Sequence, residues 1–79
     1  MRERIKQVMA RTFQVPAAEI PDDASIDLFP KWDSLAHLEL MLALEMEFSV
    51  SISTDAMLDL LQLEAVENYL RQKGVVALG

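Results

Sequence analysis

Trp32-Asp33-Ser34-Leu35-Ala36-His37-Leu38-Glu39-Leu40 is the stretch on which the fold turns. A polar loop punctuated by prolines ends there, and an apolar, acidic helix begins. Asp and Ser are favoured at a helix start because their side-chain oxygens accept from its unpaired N–H groups. Residues 34–48 are dominated by Leu, Ala, Met and Glu, all good helix formers. Two apolar arcs run along this helix. Leu40, Met41, Leu44 and Phe48 form one, spaced for burial; Leu35, Leu38, Leu42 and Met46 form the other. A helix this apolar is central to a bundle, partly exposed for a partner, or both.

Upstream, residues 15–33 form a long connection carrying Pro16, Pro21 and Pro30. Such length inside a small domain implies that the loop has a job. Pro16 opens a candidate single helical turn over residues 16–20. Val15, Ile20, Ile26, Leu28 and Phe29 are expected to pin the loop to the core. Before it, residues 2–14 read as a helix, with Ile5, Val8, Met9, Thr12 and Phe13 on one stripe.

Downstream, Val50 and Ile52 alternate with serines, which indicates a short extended link. Ser53 or Thr54 can cap a short helix over residues 54–61, with Asp55 in its first turn. Met57, Leu58, Leu60 and Leu61 leave little of that helix polar, so it depends on tertiary packing. A last helix spans residues 63–73, with Leu63, Val66 and Leu70 on one face and Tyr69 beside them. Glu64 and Glu67 sit early and Arg71 and Lys73 late, matching the macrodipole, and Gly74 is a natural stop. The apolar tail 75–79 is too short to anchor a membrane and either frays or packs back. The fold class expected is all-α: a four-helix bundle with three main helices, a short third helix and a long loop between the first two.

Seventy-nine residues with 52% apolar content make one small folding domain, residues 1–79. Little room is left for a deep pocket and a catalytic constellation together. The chain has no cysteine, which excludes disulfides, thiolate metal sites and a cysteine nucleophile. The charged start has no signal core behind it, and no apolar run approaches a membrane span. A cytoplasmic monomer is the expectation. Net charge is −6, unevenly spread. Residues 1–14 hold Arg2, Arg4, Lys6 and Arg11 against Glu3 alone, whereas residues 33–67 hold eight carboxylates and no Lys or Arg. That field repels nucleic-acid phosphates and attracts basic protein surfaces.

The chemistry available is narrow. Asp22, Asp23 and Asp27 do not make a calcium loop, since the sixth-position glycine and the closing glutamate are missing. One histidine and no cysteine make no transition-metal site. Ser34 and His37 lie near one face of the helix start, but no third group orients the imidazole and no nucleophile elbow surrounds the serine. An esterase is therefore set aside, and His37 is expected to be exposed or at an interface. Ser34 itself reads as a cap or as a covalent attachment point. A hydroxyl at a helix N-terminus points outward, beside unpaired N–H groups that would stabilise a phosphodiester on that oxygen. Trp32 has two readings, a loop aromatic covering the core or a docking side chain beside the site.

Asp33-Ser34-Leu35, followed by Leu38-Glu39-Leu40 and by the run from Ala43 to Phe48, resembles the acyl carrier proteins. The resemblance covers nearly the whole chain, including the first helix, Glu19-Ile20, Ala24-Ser25 and Ile52. It implies a four-helix bundle whose Ser34 bears a 4′-phosphopantetheine arm. A magnesium-dependent phosphopantetheinyl transferase, the holo-carrier synthase, supplies that arm from coenzyme A. The family carries acyl groups as thioesters on the arm's thiol, between acyl-loading and acyl-processing enzymes with basic docking patches, and catalyses nothing itself. By the same resemblance Asp33 helps to position the transferase, and Glu39 and Glu45 lie on a recognition helix. Leu35, Leu38 and Met41 would lie near the arm or the partner, with Trp32 as a further docking candidate. Lys31 stands where fatty-acid carriers commonly have glycine. Trp-Asp-Ser-Leu with His37 looks more like the stand-alone carriers of polyketide, nonribosomal peptide, lipid or polysaccharide pathways. A helical protein-binding adaptor that never receives an arm is the alternative.

Overall fold

A computed structural model of the chain describes residues 1–75. Helix α1 (Arg2–Phe13) leads to a 3-10 turn (Ala17–Glu19); helices α2 (Ser34–Phe48), α3 (Thr54–Met57) and α4 (Leu63–Gln72) follow. No named strand occurs among the described residues, so the all-α class expected from the sequence holds. Residues 76–79 of the apolar tail lie outside the described residues.

The periodic stripe of α1 is its buried face: Ile5, Val8, Met9 and Phe13 all lie inside. Gln14 ends the helix in the left-handed region at φ 58°, with its N–H returned to the Ala10 carbonyl. In α2, burial separates the two apolar arcs. Leu40, Met41, Leu44 and Phe48 join the core, whereas Leu35, Leu38, Leu42 and Met46 face outward. Helix α2 ends at Ser49, again left-handed at φ 54°, and the Glu45 carboxylate accepts from Ile52 N–H at 2.8 Å. That bond draws the link after α2 back over the helix and seats Ile52 in the core.

Helix α3 is shorter than the expected 54–61. It stops at Met57, where N–H groups of residues 58–60 turn back to the carbonyls of Asp55 and Ala56. The apolar run that suggested a longer helix divides instead: Leu60 turns inward at 4% exposure, while Leu58 stays outside at 69%. The long connection is pinned by pairing the sequence did not reveal. Ile26 N–H donates to Leu61 C=O and Leu63 N–H to Ala24 C=O, both at 2.9 Å, so the loop runs antiparallel to the link before α4. Ile20, Ala24 and Trp32 are its buried anchors; Leu28, expected to be one, is exposed at a turn.

Charge ties α1 to its neighbours. Arg4 and Arg11 both reach the Glu47 carboxylate, at 3.0 and 2.9 Å. Arg4 also donates to the Glu47 carbonyl at 3.3 Å and lies over the Phe48 ring, so a cation meets the negative end of α2. Arg2 donates to Glu67 of α4 at 2.8 Å, and Lys6 pairs with Asp22 of the loop. Glu67 is the one buried carboxylate among the described residues. The Arg2 hydrogen bond holds it below the ordinary carboxylate range, against burial that pushes it upward.

Candidate attachment site

The loop delivers the chain to α2 in an extended conformation, with Asp33 at φ −104° and ψ −175°. Its carboxylate accepts from Ala36 N–H at 2.8 Å and its carbonyl from His37 N–H at 2.8 Å. The cap is thus Asp33, and Ser34 is the first helical residue. Asp33 has no basic partner among the described residues. The division of labour has a consequence. Because Asp33 caps, the Ser34 hydroxyl is left over: exposed, with no side-chain hydrogen bond to any described residue. The N–H groups of Ser34 and Leu35 are unpaired in the helix and point the same way as the dipole's positive end.

Around that hydroxyl the structure brings some of the expected residues together and removes others. Leu35 is 67% exposed, Leu38 56%, and Glu39 is also at the surface. Glu45 is half-buried, with one carboxylate oxygen taken by Ile52 N–H. Met41, expected near a partner, is fully buried, because it belongs to the arc that faces α1. Trp32 is not a docking side chain either: at 1% exposure it is a core residue, packed 5.7 Å from Phe13.

His37 departs furthest from its expectation. It is buried, at 8% exposure, and stacks on Trp32 at 6.0 Å. Trp32 Nε1–H donates to its Nδ1 at 3.0 Å, and its Nε2 lies 2.7 Å from the Met57 carbonyl. Both ring nitrogens are therefore engaged away from Ser34, which removes the only imidazole that could have activated the hydroxyl. The sequence held a signal for this contact, since a buried indole N–H needs an acceptor and the chain has one histidine. What it lacked was any sign that the two would be buried together.

An open groove of about 350 Å³ lies elsewhere, between α1 and α2, lined by Val8, Thr12, Ala43 and Met46 with Arg11 and Glu47 at its rim. Met46 is roughly 18 Å along the helix from Ser34 at ~1.5 Å per residue, so the groove is no part of this site.

A bare serine hydroxyl at a helix start, on a small helical body without a catalytic partner beside it, fits a protein that presents an attachment point. The chain belongs to the family described as phosphopantetheine attachment site, whose family model matches residues 3–70. Its cofactor is accordingly 4′-phosphopantetheine, which that family carries on a serine, and members are generally non-catalytic carriers that interact with synthases and other enzymes. No curated protein matches the chain. No described helix is long and apolar enough to cross a membrane.

Proposed function

We propose that this chain is an acyl carrier protein whose 4′-phosphopantetheine arm is borne by Ser34. The observation that carries the reading is the exposed, unbonded Ser34 hydroxyl on the first residue of α2, within the span matched by the family. Transfer from coenzyme A forms a phosphorus–oxygen bond to Ser34 Oγ, releases 3′,5′-adenosine bisphosphate and removes the hydroxyl proton. Asp33 holds the first turn in shape for that step, and the unpaired N–H groups of Ser34 and Leu35 face the new negative charge. When bound, the arm supplies a terminal thiol that holds acyl groups as thioesters.

Docking falls to the outward arc of α2. Leu35 and Leu38 offer apolar contact beside the site, and Asp33, Glu39 and Glu45 offer charge to a phosphopantetheinyl transferase and to acyl-loading and acyl-processing enzymes with basic patches. Charge complementarity of this kind gives fast encounter more than tight binding, which suits a body that must dock and leave repeatedly. Lys31 in place of the glycine common in fatty-acid carriers favours a specialised polyketide, nonribosomal peptide, lipid or polysaccharide pathway over housekeeping fatty-acid synthesis. The test is intact mass after incubation with coenzyme A, magnesium and a broad-specificity transferase. The wild-type chain should gain one arm. Ser34→Ala should gain none while losing less than about 0.5 kcal/mol of stability, because the side chain is exposed. A wild-type chain that stays at its translated mass refutes the reading and leaves the helical adaptor.

A further inference from the structure

Trp32 and His37 flank Ser34 in sequence and meet behind it, with their contact buried. Indole Nε1–H can only donate, so His37 Nδ1 must accept. The ring's one proton then sits on Nε2 and is donated to the Met57 carbonyl at 2.7 Å. A single imidazole thereby joins three pieces of backbone: the loop before α2, the first turn of α2, and the last residue of α3. Every buried side-chain polar atom among the described residues has a partner, so the relay is complete. Aliphatic side chains facing one another can part and close again around a guest. A wall of directional bonds resists this, since opening it orphans a buried donor and acceptor together. The relay is itself supported, by stacking of the two rings and by Phe13 against the indole.

Resting on the reading of Ser34 as the attachment point, we infer that His37 is a positioning residue that latches α3 to α2 and keeps the interior beside Ser34 closed. The chain then carries groups that remain at its surface, short or polar acyl groups, and does not take a long aliphatic chain into its core. The residues that do the excluding are Trp32 and His37, which fill the space with rings and hold it with two hydrogen bonds.

The test loads the full chain from acetyl-, butyryl-, hexanoyl- and octanoyl-coenzyme A with a phosphopantetheinyl transferase and confirms each product by intact mass. Trp32 is the only tryptophan, so its indole proton–nitrogen correlation signal reports the relay alone. The signal should hold within one line width across the series, and the melting temperature should not rise with chain length. A signal that moves progressively with length, or a melting temperature that climbs with it, overturns the inference while the mass gain keeps the attachment reading intact. No mass gain at all overturns the attachment reading, and this inference with it. In His37→Ala the melting temperature should become length-dependent, with the octanoyl form above the acetyl form. A flat series in a folded His37→Ala assigns the closure to other residues and overturns the role given to His37. Should that variant not fold, the wild-type series alone decides.

Discussion

Replacing Trp32 by phenylalanine removes one hydrogen-bond donor and part of one ring from the centre of the molecule. The indole is 1% exposed and its N–H is the donor that satisfies His37 Nδ1. An orphaned buried acceptor costs about 1–3 kcal/mol. The missing part of the ring leaves a void of roughly 40 Å³, which at ~24 cal/mol per Å³ adds about 1 kcal/mol. Moving the imidazole proton to the other nitrogen does not rescue the site, because the Nε2 lone pair would then face the Met57 carbonyl. The expected loss is therefore roughly 2–4 kcal/mol, a large share of the ~4–12 kcal/mol that a domain of this length holds. Urea unfolding followed by far-ultraviolet circular dichroism should show the variant folded, with its midpoint lowered and its slope unchanged. His37→Leu and the double variant complete a cycle, in which coupling of at least about 1 kcal/mol is expected for groups in direct contact. A loss below about 0.5 kcal/mol in Trp32→Phe, or strict additivity in the cycle, would refute the relay.

Asp33→Ala removes the cap of α2, so stability should fall by about 1 kcal/mol, and arm transfer should slow while the final mass gain is still reached; stopped time points on the mass assay check both. Glu67 has its carboxylate depressed by Arg2, so its contribution to stability is present above the ordinary glutamate value of about 4.3 and is lost as pH falls through the lower folded value. Urea midpoints of Glu67→Gln should accordingly be lower near neutrality and fall less steeply into acid, without becoming flat, because Glu47 and Asp22 are depressed as well. Glu39→Gln should slow transferase loading at low salt and leave stability nearly unchanged, whereas Glu47→Gln should weaken the fold and leave loading unchanged; salt near 0.1 M, with a screening length of ~10 Å, should shrink the first effect. Equal loading rates for the two variants at low salt would defeat the placement of the docking face.

Local physics and tertiary context explain which of these features the sequence discloses. The bounds of α2 were legible because Asp33 and the helix-forming run leave no competing start. Burial of Ile5, Val8, Met9 and Phe13 was legible because a single stripe admits one orientation. The inward face of α2 was legible too, as the arc Leu40, Met41, Leu44 and Phe48 spaced for burial; whether the second arc would be covered by another element or left outside was not, since both arcs are similarly apolar. The end of α3 was hidden for a related reason, because Leu58 and Leu60 look alike in sequence and only packing sends one in and leaves the other out. Ser34 stood out by position, but His37 was expected at the surface or an interface, Trp32 was divided between covering the core and docking, and Glu67 was read only as a charge favoured by the helix dipole. Each is buried by a partner far along the chain or on another element, and pairing of that kind leaves no periodic trace.

The same long-range pairing reshapes what the charge pattern means. From the sequence, the basic start of the chain and its acidic middle look like two opposed fields. In the structure Arg2, Arg4, Lys6 and Arg11 are each within ion-pair distance of a carboxylate, drawn from Asp22, Glu47 and Glu67. Neutralisation therefore falls on the far end of α2 and on α4. Asp33 and Glu39 have no basic partner among the described residues, and both lie in the first two turns of α2, on either side of Ser34. The positive helix end and these carboxylates sit within one short stretch, so a basic partner is drawn to the surface surrounding the hydroxyl while an anion is favoured on the hydroxyl itself. Opposite charges asked to dock at nearly one place need not compete, because the partner's cations and the phosphate occupy different positions around the same helix turn. The internal ion pairs of α1 sharpen that arrangement by taking Glu47, at the opposite end of the same helix, out of competition for a basic partner.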